Sequence, residues 1–323
     1  MPPVPSETVS QTGPLPERAC GGVRWGLEAG SPAYLQYPPC LPLVPRIPLT
    51  VAAESLALDL PEGTLVTQHQ GPVGVHDEAA LRLVTDAVGS PGHGPPLSAH
   101  VVPGDRVVIA IAGPIPQAAA VEGAVIGCLQ DAGVEPAEIM VLRASALEPG
   151  ASREPAEPAA GLFDPSAESA TAYLAADAEA RPLYLARALV DADVVVAMGS
   201  FGWDAAIGGR SIEGELWPSF GRSENRDQLL VDVARRGQRG LVDWRSSLHD
   251  ITWQLGVCAS LRLVAGRSGS LHAACFGLPE EATRMARDAA AGWRPAVGEA
   301  ADLTVATLSS GAASLTAAIR AIA

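Results

Sequence analysis

The chain has 323 residues, 48% of them hydrophobic, with a formal net charge of −14 and a sequence pI near 4.8. That length suffices for two domains, each burying its own core. The acidity excludes a nucleic-acid partner, which needs concentrated Lys and Arg, and the absence of any apolar run of about 18 residues excludes a membrane-spanning helix.

Residues 1–45 are rich in Pro, Gly and Ser and carry no hydrophobic period. They predict a disordered or loosely packed lead-in. Met1–Pro16 has neither a basic nor an apolar region of the secretory kind, which points to a cytoplasmic protein. Order is expected from about Ile47, with short strands at Ile47–Val51, Leu56–Leu60 and Leu65–Thr67. Asp77–Val88 has apolar residues at Ala80, Leu81, Val84 and Val88, a helical period, and Asp77 is the expected cap. Gly89–Pro96 is a loop. Arg106–Ala112 is a continuous apolar run, as for a central parallel strand covered on both faces. Ala118–Ala132 predicts a helix closed by Gly133, and Glu138–Arg143 the next strand. This β-α-β alternation predicts an α/β fold with a mostly parallel sheet and flanking helices.

Glu148–Ser169, rich in Pro, Ala and Glu, is an expected insertion loop. A buried strand follows at Val194–Met198, then a helix at Asp227–Arg236. Beyond about Trp244 come a helix at Ser247–Gly256, a strand at Ser260–Ala265, a helix at Glu280–Gly292, a strand at Leu303–Leu308 and a last helix at Ala312–Ile322. The pattern divides into a first α/β domain over 46–245 and a partial second one over 246–323. The two-lobed reading leaves the second lobe incomplete, with a sheet edge open to a protein partner or another copy.

The usual catalytic motifs are absent, and all 22 basic residues are arginine. Without lysine no Schiff base or lysine-tethered cofactor can form. Cysteines stand at 20, 40, 128, 258 and 275, with no C-x-x-C, as in a reduced protein. A Cys20–Cys40 disulfide in the lead-in is left open. The histidines at 69, 76, 93, 100, 249 and 272 have no helical metal spacing and are expected on surfaces or packed in loops, so no metal site is expected.

The stretch to watch follows the strand at Val194–Met198. Gly199, Gly208, Gly209, Arg210 and Ser211 form a glycine-rich loop at a strand's carboxyl end, where open α/β sheets bind ligands. Free N–H groups there can hold an anion, and Arg210 can pair with a carboxylate or phosphate. Asn225 completes the candidate ligand set. The bland alternative is a glycine-rich connection with Arg210 paired to a local acid, and Ser223-Glu224-Asn225 capping the next helix.

At these residues the chain resembles the lactate racemase family, the nickel-pincer 2-hydroxyacid racemases, mainly over 46–240. The resemblance rests on Pro45-Arg46-Ile47-Pro48-Leu49, Gly89-Ser90-Pro91 and Pro103-Gly104-Asp105 before the strand VVIAIA. It continues through Leu129 to Gly133, Pro182-Leu-Tyr184-Leu-Ala-Arg187, Asp191 to Gly199, Gly208-Gly209-Arg210 and Glu224-Asn225. It implies a two-domain α/β protein with its site in the interdomain cleft.

The departures fall on the family's chemical groups. Ala112-Gly113-Pro114-Ile115-Pro116 stands where the family carries Ser-Asp-x-Thr-Arg-Pro for its nucleotide cofactor. Arg143-Ala-Ser145-Ala stands in place of a catalytic His-Arg pair, and Phe201-Gly202-Trp203 in place of a second catalytic His. Ser211 replaces the lysine tether, and Arg226 a nickel-binding His. Racemisation next to a carboxylate needs a proton or hydride carrier and acid–base groups on both faces. The expectation is therefore a racemase-like protein without the nickel-pincer cofactor, binding a small anionic ligand. The alternatives are an enzyme of altered chemistry using Arg210, Glu224 and Asp204, or a partner-binding subunit.

Overall fold

The computed structural model describes residues 46–51, 54–61, 71–92, 94–144, 161–176, 180–204, 209–210, 216–236, 250–257 and 259–293. The lead-in, the strands expected at Leu65–Thr67 and Leu303–Leu308, the final helix, and Cys20, Cys40 and Cys258 lie outside these residues.

The chain opens with an antiparallel hairpin of β1 (Arg46–Val51) and β2 (Glu54–Asp59). Helix α1 (Asp77–Gly89) follows, burying Ala80, Val84 and Val88 of the predicted stripe, while Leu81 is exposed. Asp77 is not its cap. His76 holds the N-cap position, and Asp77 has a left-handed φ of 48° with its N–H bonded to Gln117. The side-chain amide of Gln117, distant in sequence, thus accepts a first-turn N–H in place of the local carboxylate expected to do so.

β3 (Val107–Ile111) is buried along its whole length. Helix α2 (Ala118–Asp131) follows and ends at Gly133, whose φ of +94° is the left-handed closing conformation. Next comes β4 (Ile139–Ala144). The expected insertion loop is in part structured: β5 (Leu162–Phe163) pairs in parallel with β4, and residues 168–170 make a 3₁₀ turn. β6 (Thr171–Ala176) and β7 (Pro182–Ala186) then form an antiparallel hairpin, with short helix α3 (Arg187–Val190) behind it.

β8 (Val194–Ser200) runs two residues beyond the expected strand, because Gly199 and Ser200 find ladder partners in a neighbouring strand. β9 (Trp203–Asp204) and β10 (Gly209–Arg210) form a small antiparallel ribbon. α4 (Ser223–Arg236) begins four residues before the predicted helix. Helical residues 250–254 lead to β11 (Ala259–Ala265), then β12 (Leu271–Gly277) and α5 (Pro279–Ala289).

The main sheet has six strands in the order β12-β11-β8-β3-β4-β5. All neighbouring pairs are parallel except β11–β12. Strands from both sides of residue 245 therefore lie side by side in one sheet: β11 is bonded directly to β8. α1 and α2 cover one face over Ile109, Val196, Met198, Leu261 and Leu263. The other face carries two apolar clusters. One joins Val108, Ala110, Val195 and Ala197 to Leu189, Leu216 and Phe220. The second joins Val264 and Cys275 to Phe201 and to Ala286 of α5. Burial on both faces explains why the central strands are nearly unbroken Val, Ile and Ala. Among the described residues no helix is long and apolar enough to cross a membrane.

Candidate functional site

The strand order creates a switch point between β3 and β8. The chain leaves β3 toward β4 on one side, while β8 and β11 add on the other. Sheets of this kind bind ligands where the loops at the carboxyl ends diverge. Here the loops are residues 112–117 after β3 and those after Ser200. They are joined directly, because the Ser200 hydroxyl donates to the Pro114 carbonyl oxygen at 2.9 Å.

Gln117 ends the first loop in a left-handed conformation (φ 52°, ψ 43°). Its side-chain oxygen accepts from the Asp77 N–H, and its Nε2 donates to the Gly269 carbonyl, each at 3.0 Å. The same nitrogen lies 3.0 Å from His76 Nδ1. One amide thus ties together the starts of α1 and α2 and the turn between β11 and β12.

The expected ligand residues are dispersed. Gly199 is buried inside β8, beside Arg262 of β11. Gly208 and Ser211 lie outside the described residues. Gly209 pairs with Asp204, and Arg210 with Trp203, so Asp204 and Arg210 share one backbone ribbon. Glu224 is exposed in the first turn of α4. The Asn225 side chain accepts from the Tyr184 N–H at 3.1 Å and donates to the Pro182 carbonyl at 3.0 Å, which fastens α4 to β7. Its amide is committed to the hairpin.

Arg222, just before α4, is also built in. Its Nε and a terminal nitrogen donate to Thr171 Oγ1 at 3.1 and 2.8 Å, and its guanidinium lies 4.0 Å over the Tyr184 ring. Such stacking is favoured by the flat guanidinium. Phe201 is a core residue, packed with Val264, Cys275 and Ala286. Arg143 forms an ion pair with Glu122 of α2. Among the described residues, no three His, Cys, Asp or Glu side chains gather as metal ligands would.

Two residues on β11 were not singled out from the sequence. Ser260 is 0% exposed and Arg262 1% exposed, on the same face of the strand. Arginine is almost never this buried unless paired. The signal was present as a lone charged residue inside the apolar run ASLRLVA. Nearby, burial pushes the Cys275 thiol up to about 11, with the Asp288 charge adding to it.

No protein-family model matches the chain, and no curated protein matches it. Among solved structures, the lactate racemase apoprotein from Thermoanaerobacterium thermosaccharolyticum matches with a TM-score of 0.51 and 15% identity, over 76% of this chain. This chain spans 61% of that racemase's length. A protein from Thermotoga maritima matches with a TM-score of 0.46 and 13% identity, over 66% of this chain and 57% of its own, too low a score to bear on the fold. The mainly parallel six-stranded sheet flanked by helices thus resembles the lactate racemase fold, and at this identity the likeness concerns the fold alone.

Proposed function

We propose that this protein binds a small anionic ligand at the carboxyl ends of β3 and β8 and does not carry out nickel-pincer racemisation. The observation behind the first part is the switch point itself, with its two loops held together by Ser200 and Pro114. Arg210, next to Gly209 on the ribbon that follows β8, is the residue offered to pair with the ligand's charge. Asn225 has a structural role. The second part follows from composition. The nickel-pincer nucleotide needs a lysine tether, and the chain has none. The residues present do not fit that group.

Calorimetric titration with lactate, glycolate, phosphate and a mononucleotide tests the binding. Saturable binding that Arg210→Ala weakens supports the reading; no binding of any anion overturns it. Stoichiometric nickel with lactate racemisation by the purified protein would overturn the second part.

An enzyme of altered chemistry is the second reading, favoured by the ribbon that pairs Gly209 with Asp204. It requires Glu224 to join Asp204 and Arg210. Turnover of a hydroxyacid that is lost in both Asp204→Asn and Glu224→Gln would support it.

A further inference from the structure

We propose that Arg187 and Arg222, both anchored on Thr171, form a second anion site that takes a phosphoryl dianion, as free phosphate or as a phosphate monoester. The site belongs to the β6–β7 hairpin, the start of α3 and the residue before α4. It uses no residue of the loops that follow β3 and β8.

Thr171 opens β6 and is only 2% exposed. Its hydroxyl donates to the Glu168 carbonyl at 3.1 Å, which leaves its lone pairs to accept from Nε and a terminal nitrogen of Arg222. Arg187 grips the backbone of the same turn. Its Nε donates to the Ser169 carbonyl at 3.1 Å and a terminal nitrogen to the Thr171 carbonyl at 3.0 Å. Each arginine thus spends its Nε edge on the protein and keeps donors on the edge between its two terminal nitrogens.

All of these partners are neutral. Among the described residues neither guanidinium has a carboxylate partner, and the acids nearest in sequence, Glu168 and Glu224, pair with neither. In a chain of net charge −14, Arg82, Arg106, Arg143 and Arg284 each meet an acid. Arg187 and Arg222 are instead held in place without being neutralised. Their acceptor oxygens on Thr171 belong to one residue, so the two guanidiniums lie within about 10 Å, roughly one Debye length. Like charges fixed at that range repel, and hydrogen bonds to neutral oxygens do not cancel them. A dianion balances both charges, and a phosphoryl group has oxygens enough to accept from two forks. The N-terminal end of α4, directly after Arg222, adds to the positive potential. Arg187 is exposed and Arg222 half-buried, so an anion reaches them from solvent.

Calorimetry with inorganic phosphate, glycerol 3-phosphate, sulfate and acetate compares the wild type with Arg187→Gln, Arg222→Gln and Arg210→Ala. At pH 8 phosphate and sulfate are expected to bind better than acetate. Each glutamine variant should weaken both by about tenfold, while phosphate binding persists in Arg210→Ala. Lowering the pH to 5.5 makes phosphate a monoanion and should weaken phosphate but not sulfate. Tighter binding of glycerol 3-phosphate than of phosphate identifies an ester as the occupant; equal or weaker binding identifies free phosphate, and either supports the site. Arg187→Gln alters an exposed side chain and stays informative if Arg222→Gln does not fold. Phosphate binding within twofold of wild type in Arg187→Gln overturns the site, as does phosphate binding that Arg210→Ala abolishes, or none at all. Acetate binding as tight as phosphate overturns the dianion assignment.

Discussion

The Ser200 hydroxyl donates to the Pro114 carbonyl oxygen at 2.9 Å, joining the loops that leave adjacent strands β3 and β8. Ser200→Ala removes this donor and leaves the carbonyl to water. The expected loss of stability is about 1 kcal/mol, measured by urea denaturation. Amide exchange in residues 112–117 should quicken at the same time. Unchanged exchange there would show that the loop is held by its prolines alone.

Gln117 combines a left-handed backbone with hydrogen bonds to Asp77 and Gly269. The two contributions separate by substitution. Gln117→Ala loses the hydrogen bonds and keeps the strain, at an expected cost of about 2 kcal/mol. Gln117→Gly loses the same bonds but accepts the conformation, so it should be the less damaging by about 1 kcal/mol. Equal losses would refute the strain component.

At the opposite ends of the same strands, Asp193 accepts from the Arg106 backbone N–H at 2.9 Å and from its Nε at 3.2 Å. These bonds hold the Asp193 carboxyl below its usual value of 3.8, the backbone bond contributing most. A lowered native pKa favours the native carboxylate above the unfolded value, and the benefit disappears as pH falls through the native value. The stability difference between wild type and Asp193→Asn should thus be constant from pH 7 to 5 and shrink below pH 3.8. A difference independent of pH would show that the charge is irrelevant.

Cys275 is a thiol that burial keeps protonated, its pKa pushed up to about 11 from 9.0. Alkylation of the folded protein at pH 8, mapped by mass spectrometry, should spare Cys275 until denaturant is added. The neutral thiol is favoured in the native state, so its contribution is complete below pH 9 and lost as pH rises toward 11. That loss is on the order of 2–3 kcal/mol. Cys275→Ala should flatten stability between those values.

The fold was legible wherever burial dictated composition. β3 is Val-Val-Ile-Ala-Ile because both of its faces are covered, and a run this short and bounded by turn residues reads as a buried strand. β12 was missed because Leu-His-Ala-Ala-Cys-Phe-Gly shows neither alternation nor β-branched residues; it is a strand because β11 pairs with it. β6, Thr-Ala-Tyr-Leu-Ala-Ala, has a single β-branched residue and no polar alternation, and is a strand because β7 pairs with it. The site was less legible still. Asn225 looks like a ligand residue or a cap, and only its partners 41 and 43 positions earlier reveal a fastener. Arg262 was visible as a misfit in its strand, and only the register shows that Gly199 lies alongside it.

The strand order also has a consequence for synthesis. Taken in the order of emergence from the ribosome, β3 gains β4 and then β5 on one flank, and β8, β11 and β12 on the other. Every newcomer joins an outer edge, and none has to be threaded between strands already paired. The sheet can therefore be laid down as the chain lengthens, with no finished ladder broken to admit a later strand. Stalled nascent chains that expose residues through 144 should already protect β3 against proteolysis, and cleavage within it would show that pairing waits for β8.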